Sequence, residues 1–300
     1  SLLAIIGATI VVFSVSRLLG APRVLLMPTE GYGLTKADWD RALKDLRLDQ
    51  PIPVQYAYWV KDMLTGNLGR DLADRNFIAP KLAKKIMPTV ELALAAWLLA
   101  TLIGLPLGVL SAVKRGSVMD YAGRTFALWG QALPVFWIAI LSILIFAVWF
   151  RVLPSGTMGE GIAIRNFILP TVTLAWYAAA GYVRLVRSTM LEVLDSEFIK
   201  MARAKGVGEW TIVWKHAFKN AVLAPLTYSG LLLGGLITGS VAVETVFAWP
   251  GLARYAVEAV QTNNFTVLAV VTLFFTAVYI VANFFVDIIY AYIDPRIRYT

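Results

Sequence analysis

The sequence predicts an all-α membrane protein with six transmembrane helices and a small helical extracytoplasmic segment between the first two. Charged residues make up only 15% of the 300-residue chain, whereas a soluble domain carries about 25%. The mean hydropathy is +0.70, and apolar segments long enough to cross a bilayer recur along the sequence. Together these observations exclude a soluble core held by a single anchor.

Composition also excludes several classes of function. The sequence has no Cys and one His, His216, so it offers neither a disulfide framework nor a Cys- or His-based metal cluster. The net charge of +8 could indicate nucleic-acid binding, but that function needs a basic face with groove-reading or stacking elements. Most basic residues of the C-terminal two-thirds lie instead in short loops between apolar segments, as topology control requires. We expect no metal site and no nucleic acid partner.

Residues 1–19 form the first predicted transmembrane helix. They are apolar apart from Ser, Thr and Arg17, and at about 1.5 Å per residue they are long enough to span a bilayer. A secretory signal peptide is the alternative interpretation, but no clear small-x-small cleavage site precedes the next segment. We therefore favour the transmembrane helix.

Residues 20–87 are predicted to form an extracytoplasmic helical loop. They are polar and carry both signs of charge, and Thr35 and Asp38 form a capping-box pattern typical of a helix start. Pro51 opens a second helix-like run, which ends in a turn at 66–69. Because the segment is too short to bury a large core of its own, we expect a small helical cap on the membrane domain.

Residues 88–300 are predicted to form a five-helix membrane core. The loops after the second and fourth spans and the C-terminal tail hold 12 Lys and Arg residues, against 3 in the loops after the third and fifth spans. The positive-inside rule then places the loop 195–225 and both chain termini in the cytoplasm. The five predicted spans are Thr89–Val113, Phe126–Phe150, Ile168–Val186, Ala221–Val243 and Phe265–Val286.

The loop 195–225 has the pattern of two short helices rather than of an irregular connection. Ser196–Ala204 predicts one helix and Glu209–Asn220 a second, with Gly206 and Gly208 between them. We expect a positive φ at Gly206, which a sharp turn after a helix favours, and we expect Gly208 to begin the second helix. Two short basic helices on one side of a membrane indicate a docking surface.

The predicted spans lack the residues that would power transport. The second to sixth spans carry no Asp, Glu, Lys or Arg near their middles, where ion-driven carriers commonly place ionisable groups. The sequence also contains no glycine-rich phosphate loop and no convincing catalytic set. If the chain transports against a gradient, the energy must come from a partner, and we expect the chain itself not to be an enzyme.

Several polar residues in and near the spans could line a translocation path, or could simply hydrogen-bond between helices. Glu244 could contact the amino terminus of a substrate, but we favour a helix cap or an ion pair with Arg254. Gly230/Gly234 and Gly235/Gly239 form small-x-x-x-small pairs, which allow close helix packing within the chain or against another subunit. The candidate path residues are Gln131, Tyr228, Ser229, Thr238, Ser240 and Glu244.

Several short motifs, spread along nearly the whole chain, resemble those of a known family in their order and spacing. The loop 195–225 resembles the cytoplasmic coupling loop, or EAA loop, of permease subunits in binding-protein-dependent ABC importers. Within that superfamily the chain is similar to the B-type dipeptide/oligopeptide permease branch. The motifs are Ala202-Arg203-Ala204-Lys205-Gly206, His216-Ala217, Asn220-Ala221, Gly66-Asn67-Leu68-Gly69, Pro88-Thr89-Val90-Glu91-Leu92, Leu133-Pro134-Val135-Phe136-Trp137, Val243-Glu244-Thr245-Val246-Phe247, Trp249-Pro250-Gly251 and Asp294-Pro295-Arg296.

One departure from the superfamily pattern affects the loop. The pattern is Glu-Ala-Ala, three residues, then Gly, whereas this chain has Lys200 at the Glu position, followed by Met201 and Ala202 before Gly206. A basic residue at that position is similar to the peptide branch. It puts in doubt any salt bridge that would need the missing carboxylate.

The resemblance implies a type I ABC importer permease fold in a prokaryotic cytoplasmic membrane. It implies a sister permease subunit, two cytoplasmic ATPase subunits that hold ATP and Mg, and an extracytoplasmic substrate-binding protein, with no cofactor on this chain. The residues expected to contact the ATPase are Glu197, Lys200, Ala202, Arg203, Ala204, Lys205, Gly206, Val207 and Gly208.

The resemblance also implies a substrate class, which is short peptides. Similar members of the branch move nickel chelates, glutathione or oligosaccharides, so these remain alternative substrates. A stand-alone channel or carrier is the alternative of a different class. For the loop itself, the alternative is an amphipathic hairpin whose cations contact anionic lipid headgroups.

Overall fold

The computed structural model describes residues 2–18, 44, 47, 49–71, 74–156, 158 and 164–293. This part of the chain is helical, and its β-structure is limited to an isolated antiparallel bridge between Arg70 and Phe77. The predicted capping box at Thr35 and Asp38 and the motif 294–296 lie outside the described residues. An all-α fold is therefore confirmed for the described part of the chain.

The N-terminal and central helices follow the predicted order but not all of the predicted boundaries. The third helix begins at Ile78, inside the stretch predicted as a loop, and runs without interruption to Val113. The helices are α1 (Leu2–Leu18), α2 (Ile52–Leu64), α3 (Ile78–Val113), α4 (Val118–Ala132), α5 (Val135–Trp149) and α6 (Ile164–Leu194).

The second half of the chain begins with two short helices and ends with a long one. Within α8 the segment Ile212–Phe218 is π-helical. The helices are α7 (Glu197–Ala204), α8 (209–221), α9 (Leu223–Gly239), α10 (Val241–Val246), α11 (Leu252–Gln261) and α12 (Phe265–Ile293).

Within the described part of the chain, three helices are long and apolar enough to cross a membrane, and there is a fourth if the bent pair α4–α5 forms one span. The chain therefore has at least three apolar spans, and the count of six stays a prediction. Helix α1 is shorter, with an apolar stretch over Ile5–Val15. The segments that pass by length and composition are Ile78–Val113, Leu223–Val246, which comprises α9 and α10, and Phe265–Phe285.

The predicted span Phe126–Phe150 is broken rather than continuous. Helices α4 and α5 meet at an angle of 103°. Leu133 adopts an extended conformation with ψ 134°, as expected for a residue that precedes a proline. Pro134 has no N–H to continue the helix. The dipeptide Leu133-Pro134 is compatible with such a break, but a proline in an apolar segment is also compatible with a mild kink.

The chain divides into two compact units, of which the first comprises residues 1–88 and 250–280. Its apolar core includes Ile78 and Leu252, which are fully buried. Beside this core, the buried carboxylate of Asp71 accepts hydrogen bonds from Lys81, from the Tyr255 hydroxyl at 3.2 Å and from Asn264. Burial and the Asp71 carboxylate raise the pKa of Tyr255 above its ordinary value.

The second unit comprises residues 89–249 and 281–300, and α6 contributes a large part of its core. A Cβ added to Gly104 of α3 would lie 2.5 Å from the Cβ of Tyr182, and one added to Gly130 of α4 would lie 2.5 Å from the Cβ of Ala180. Gly108 of α3 makes a similarly close approach to Val186, at 2.7 Å. Glycines of two helices thus bring their backbones against α6.

Candidate functional site

The loop 195–225 contains a helical hairpin, 197–221, formed by α7 and α8. Ser196 occupies the N-cap position of α7 with an extended backbone, but its hydroxyl donates to the Val193 carbonyl at 2.5 Å instead of to the helix N-terminus. Glu197 in the first turn and Arg203 in the last turn suit the helix dipole. The predicted pair of short helices is therefore confirmed, with boundaries within one residue of the prediction.

A Schellman motif ends α7 and sets the direction of the turn. The N–H of Val207 donates to the Ala202 carbonyl at 3.2 Å, and the N–H of Gly206 donates to the Arg203 carbonyl at 2.9 Å. Gly206 has φ +78°, a conformation that side chains rarely adopt. Gly208 follows at the N-cap of α8 with φ −61°. The positive φ at Gly206 and the start of the second helix at Gly208 are both confirmed.

Apolar side chains anchor the hairpin to the second unit. Ile199 of α7 and Ile212 and Ala217 of α8 are fully buried and belong to the core that also contains Leu194 of α6. Only Asp195 and Ser196 separate the end of α6 from the start of α7. The hairpin is therefore packed on this core and follows α6 directly along the chain.

The outer surface of the hairpin mixes charge with exposed apolar groups. Arg203 donates to Glu209 through Nε at 2.9 Å and Nη2 at 3.3 Å, which joins α7 to α8. This hydrogen bonding lowers the pKa of Glu209 and raises that of Arg203. Trp210 at the start of α8 is 77% exposed, and Lys200 pairs with Glu197 at 2.8 Å along α7.

All nine residues predicted to contact an ATPase lie on this one hairpin. Ala202 and Val207 are half-buried, and the remainder of the set is exposed. The guanidinium of Arg203 also pairs with Glu209 within the chain. Sequence reasoning missed this pair and the exposed Trp210, although Glu209 and Trp210 directly follow Gly208 in the same loop. The contact with an ATPase stays a prediction.

The candidate path residues on α9 and α10 fall into two clusters within the second unit. Trp97 Nε1 donates to the Ser229 carbonyl at 3.1 Å and hydroxyl at 3.0 Å, and the ring of Tyr228 lies edge-on to that of Tyr182, with centroids 5.2 Å apart. The Tyr228 hydroxyl lies 2.2 Å from the point where a Cβ on Gly181 would be. These polar groups pack tightly between α3, α6 and α9.

The second cluster surrounds a buried carboxylate near the end of α9. Glu244 is fully buried and accepts hydrogen bonds at 2.8 Å from both the Ser240 and the Thr89 hydroxyls. Arg254, which the sequence suggested as a partner of Glu244, forms an ion pair with Glu258 at 2.8 Å. A pair between Glu244 and Arg254, and the alternative contact of Glu244 with substrate, both stay predictions.

The two remaining path candidates lie apart from these clusters. The Thr238 hydroxyl donates to the Gly234 carbonyl of its own helix at 3.1 Å, and Gln131 lies near the end of α4, next to the bend. A path-lining role for any of the six residues stays a prediction. Among the described residues, no group of three or more His, Cys, Asp or Glu is placed to hold a metal ion.

The described residues form a helical membrane protein with an exposed helical hairpin, and comparison with known proteins gives its class. Residues 104–299 match the family model described as "Binding-protein-dependent transport system inner membrane component". Because the match covers more than half of the chain, the chain belongs to this family. It is thus a permease component of an ABC importer, as predicted, in which separate subunits hydrolyse ATP.

Relatives of known name cover nearly the whole chain. The chain is 35% identical to the dipeptide transport system permease protein DppB of Alkalihalophilus pseudofirmus, over 98% of this chain and 96% of the relative. It is 31% identical to DppB of Escherichia coli K12, over 98% and 95%. A putative peptide permease protein of Brucella suis is 35% identical, over 99% and 95%.

Solved structures show the same fold at lower sequence identity. An inward-facing structure of the MetNI methionine ABC transporter matches with TM-score 0.59 at 22% identity, over 71% of this chain and 96% of that chain. A structure described as an amino acid ABC transporter with histidines matches with TM-score 0.56 at 15% identity, over 70% and 93%. The ABC permease fold is therefore shown for the matched part of the chain.

Proposed function

We propose that this chain moves short peptides across the prokaryotic cytoplasmic membrane, using the hairpin 197–221 to receive motion from ATPase subunits. The observation that carries the proposal is the geometry of the hairpin, in which buried Ile199 and Ile212 anchor one side. Gly206 fixes the turn, and exposed Trp210 and Met201 lie on the surface. Such a hairpin can act as a lever, because its helices do not depend on a partner for their packing.

In the proposed importer, the chain crosses the membrane six times and works with several partner subunits. Six spans with both termini in the cytoplasm place the hairpin on the side where ATP is available, and the distribution of Lys and Arg supports this orientation. We assign ATP and Mg to two ATPase subunits, and substrate capture to an extracytoplasmic binding protein. Lipid would surround the spans.

A sister permease subunit is supported by the open face of α9. A Cβ added to Gly235 or to Gly239 would meet no other described atom within 4 Å. Small residues spaced four apart allow a second helix to approach closely in a membrane. No neighbour within the described chain fills these two positions, which supports packing of this face against a sister subunit.

The peptide substrate is supported by the relatives, several of which are named as dipeptide or peptide permeases. A competition assay tests this part of the proposal. In the assembled importer, unlabelled dipeptides should compete with a labelled dipeptide for uptake, whereas a nickel chelate, glutathione or an oligosaccharide should not. Stronger competition from one of these three compounds would replace the peptide with that substrate class.

A substitution at Gly206 tests the role of the hairpin. Gly206→Val places a β-branched residue at φ +78°, which costs about 1–2 kcal/mol. If that strain falls on the docked hairpin, stimulation of ATP hydrolysis by the binding protein should fall by about 5- to 30-fold. The measurement is ATPase activity of equal amounts of assembled complex, with and without loaded binding protein.

Gly66→Val is the matched control. Gly66 also has a positive φ, +79°, with nothing within 4 Å of an added Cβ, but it lies outside the hairpin, in the turn after α2. The control carries the same kind of backbone strain and should keep the stimulation of the unmodified complex. If Gly206→Val assembles normally and is stimulated as strongly as Gly66→Val, the hairpin does not carry the coupling.

A further inference from the structure

A buried carboxylate outside the hairpin collects hydrogen bonds from three different parts of the second unit. Asp120, in the first turn of α4, is 2% exposed. Its Oδ1 accepts from the Ser111 hydroxyl at 2.9 Å and from Arg187 Nε at 2.7 Å. Its Oδ2 accepts from the Gly116 N–H at 3.0 Å and from Arg187 Nη2 at 3.1 Å. Each carboxylate oxygen thus accepts two hydrogen bonds.

The donors show which parts of the chain are joined. Ser111 lies in the last turn of α3, Gly116 lies in the turn between α3 and α4, and Arg187 lies on α6. Gly116 has φ +77°, so the turn that presents this N–H depends on a glycine. A bidentate pair between Arg and a carboxylate fixes orientation as well as distance, and removing one partner of a buried pair leaves the other uncompensated.

The ion pair lies between two features that matter for transport. Past Arg187, α6 runs to Leu194 and leads into α7 of the hairpin. Past Asp120, α4 runs to the bend at 133–134. Between the pair and the bend, Gly130 packs its backbone against Ala180 of α6. Helices α4 and α6 are therefore fixed to each other both at the ion pair and near the bend.

An exposed ion pair offers a second connection near the same turn, but a weaker one. Arg115 Nη1 lies 3.5 Å from Asp195 Oδ2, and both side chains are about two-thirds exposed or more, at 66% and 71%. Exposed pairs of this kind contribute roughly 0–1 kcal/mol. The buried carboxylate, with four hydrogen bonds, is the connection that can transmit force.

We propose that Asp120 is a positioning residue for energy coupling, which makes α4 and α6 move as one body and so delivers displacement of the hairpin to the bend at 133–134. The proposal rests on the proposed function of the hairpin. Asp120 contacts neither substrate nor ATPase in it. Its effect passes through Arg187, Ser111 and Gly116.

The first test is Asp120→Asn in the fully assembled importer in lipid vesicles. The amide keeps the size of the side chain but loses the charge, and its NH2 group must face a donor where an oxygen stood. Peptide taken up per ATP hydrolysed should fall by roughly 2- to 30-fold, the range over which single residues modulate coupling between sites. A ratio equal to that of the unmodified complex would overturn the proposal.

Arg115→Gln is the matched control, because it breaks the exposed pair and leaves the buried one intact. Its uptake per ATP should not change. If it lowers the ratio as much as Asp120→Asn does, the turn as a whole matters and Asp120 has no special role. Where Asp120→Asn does not assemble, Arg187→Lys takes its place, since it keeps the charge but loses the bidentate geometry. An unchanged ratio in Arg187→Lys would then contradict the proposal.

A distance measurement separates positioning from a loss of stability. The sequence has no Cys, so Leu128→Cys on α4 and Lys215→Cys on the hairpin give two specific spin-label sites, both exposed. In the otherwise unmodified complex their distance distribution should be the same with and without ATP, and Asp120→Asn should make it ATP-dependent. A distribution that stays unchanged in Asp120→Asn would indicate a merely structural role. Absence of ATP-dependent uptake in the unmodified complex would instead contradict the proposed function itself.

Discussion

Helices α6 and α9 both depend on glycines, but in opposite ways. Around α6, the space beside the glycines of neighbouring helices is already occupied by atoms of α6. A Cβ on Gly104, for example, would lie 2.5 Å from the Cβ of Tyr182. Along α9, Gly235 and Gly239 face space in which no other described atom lies within 4 Å of an added Cβ. The first helix is fixed within the chain, and the second presents an unfilled face.

This difference matches the two tasks that we propose for this unit, which are coupling to the ATPase and contact with a sister subunit. A helix that must carry motion from the hairpin needs neighbours that do not yield, and close backbone packing provides them because packed interiors deform little. A helix that must meet another subunit needs a face that its own chain leaves open. Tyr228 is where the two helices meet, since its hydroxyl lies against Gly181 of α6.

The largest expected loss of stability comes from adding a side chain to a glycine that packs against α6. Gly104→Ala would place its Cβ 2.5 Å from the Tyr182 Cβ and 3.0 Å from the Ala179 carbonyl oxygen, so the helices must separate, at a cost of about 1–3 kcal/mol. Gly235→Ala on α9 should be neutral or stabilising by up to about 1 kcal/mol, because Ala favours a helix. Thermal unfolding of the purified chain in detergent compares the two. Equal destabilisation by both variants would remove the distinction between the helices.

The next effect probes the meeting point of the two helices. Gly181→Ala would bring a methyl group to within 2.2 Å of the Tyr228 hydroxyl oxygen. Because the Tyr228 side chain can rotate away, the change should destabilise the chain by only about 0.5–1.5 kcal/mol. Tyr228→Phe removes that oxygen, so the double variant should be more stable than the sum of the single changes, by about 0.5 kcal/mol or more. A double-mutant cycle on unfolding free energies measures this coupling. Strict additivity would mean that α9 does not press on α6 at this point.

The smallest effect concerns the exposed ion pair that joins α7 to α8. The hydrogen bond from Arg203 lowers the pKa of Glu209, so its stabilisation is complete above the unfolded pKa of about 4.3 and is lost as the pH falls through the lower folded value. Glu209→Gln should therefore lower stability at pH 7 by roughly 0–1 kcal/mol and by less near pH 4. Unfolding free energies of the unmodified chain and of Glu209→Gln at both pH values measure this difference. A larger loss of stability at pH 4 than at pH 7 would contradict the expectation.

Features that depend on neighbouring residues were predictable from the sequence. The positive φ at Gly206 and the start of α8 at Gly208 follow from glycine placement after a short helix. The link between Asp120 and Arg187 was not predictable, because 67 positions separate the two residues and Asp120 lies in a stretch that reads as a basic loop. Nothing in one sequence brings such distant charges together.

The break in the third predicted span is a second feature that the sequence alone could not predict. Pro134 in an apolar segment is compatible with a mild kink or with a full break, and only packing selects between them. The structure has a bend of 103°. Similarly, the spacing of Gly235 and Gly239 predicted close packing but could not say whether the partner helix belongs to this chain or to another.

Uptake of a labelled dipeptide into vesicles is the most direct test of the central claim that this chain is the pathway and ATP-binding partners supply the energy. The complete complex should accumulate dipeptide only when ATP is present on the side of the hairpin and loaded binding protein is present on the other side. Omitting the ATPase subunits should abolish accumulation. Equal accumulation by the purified chain alone, without ATP, would show a stand-alone carrier or channel and contradict the claim.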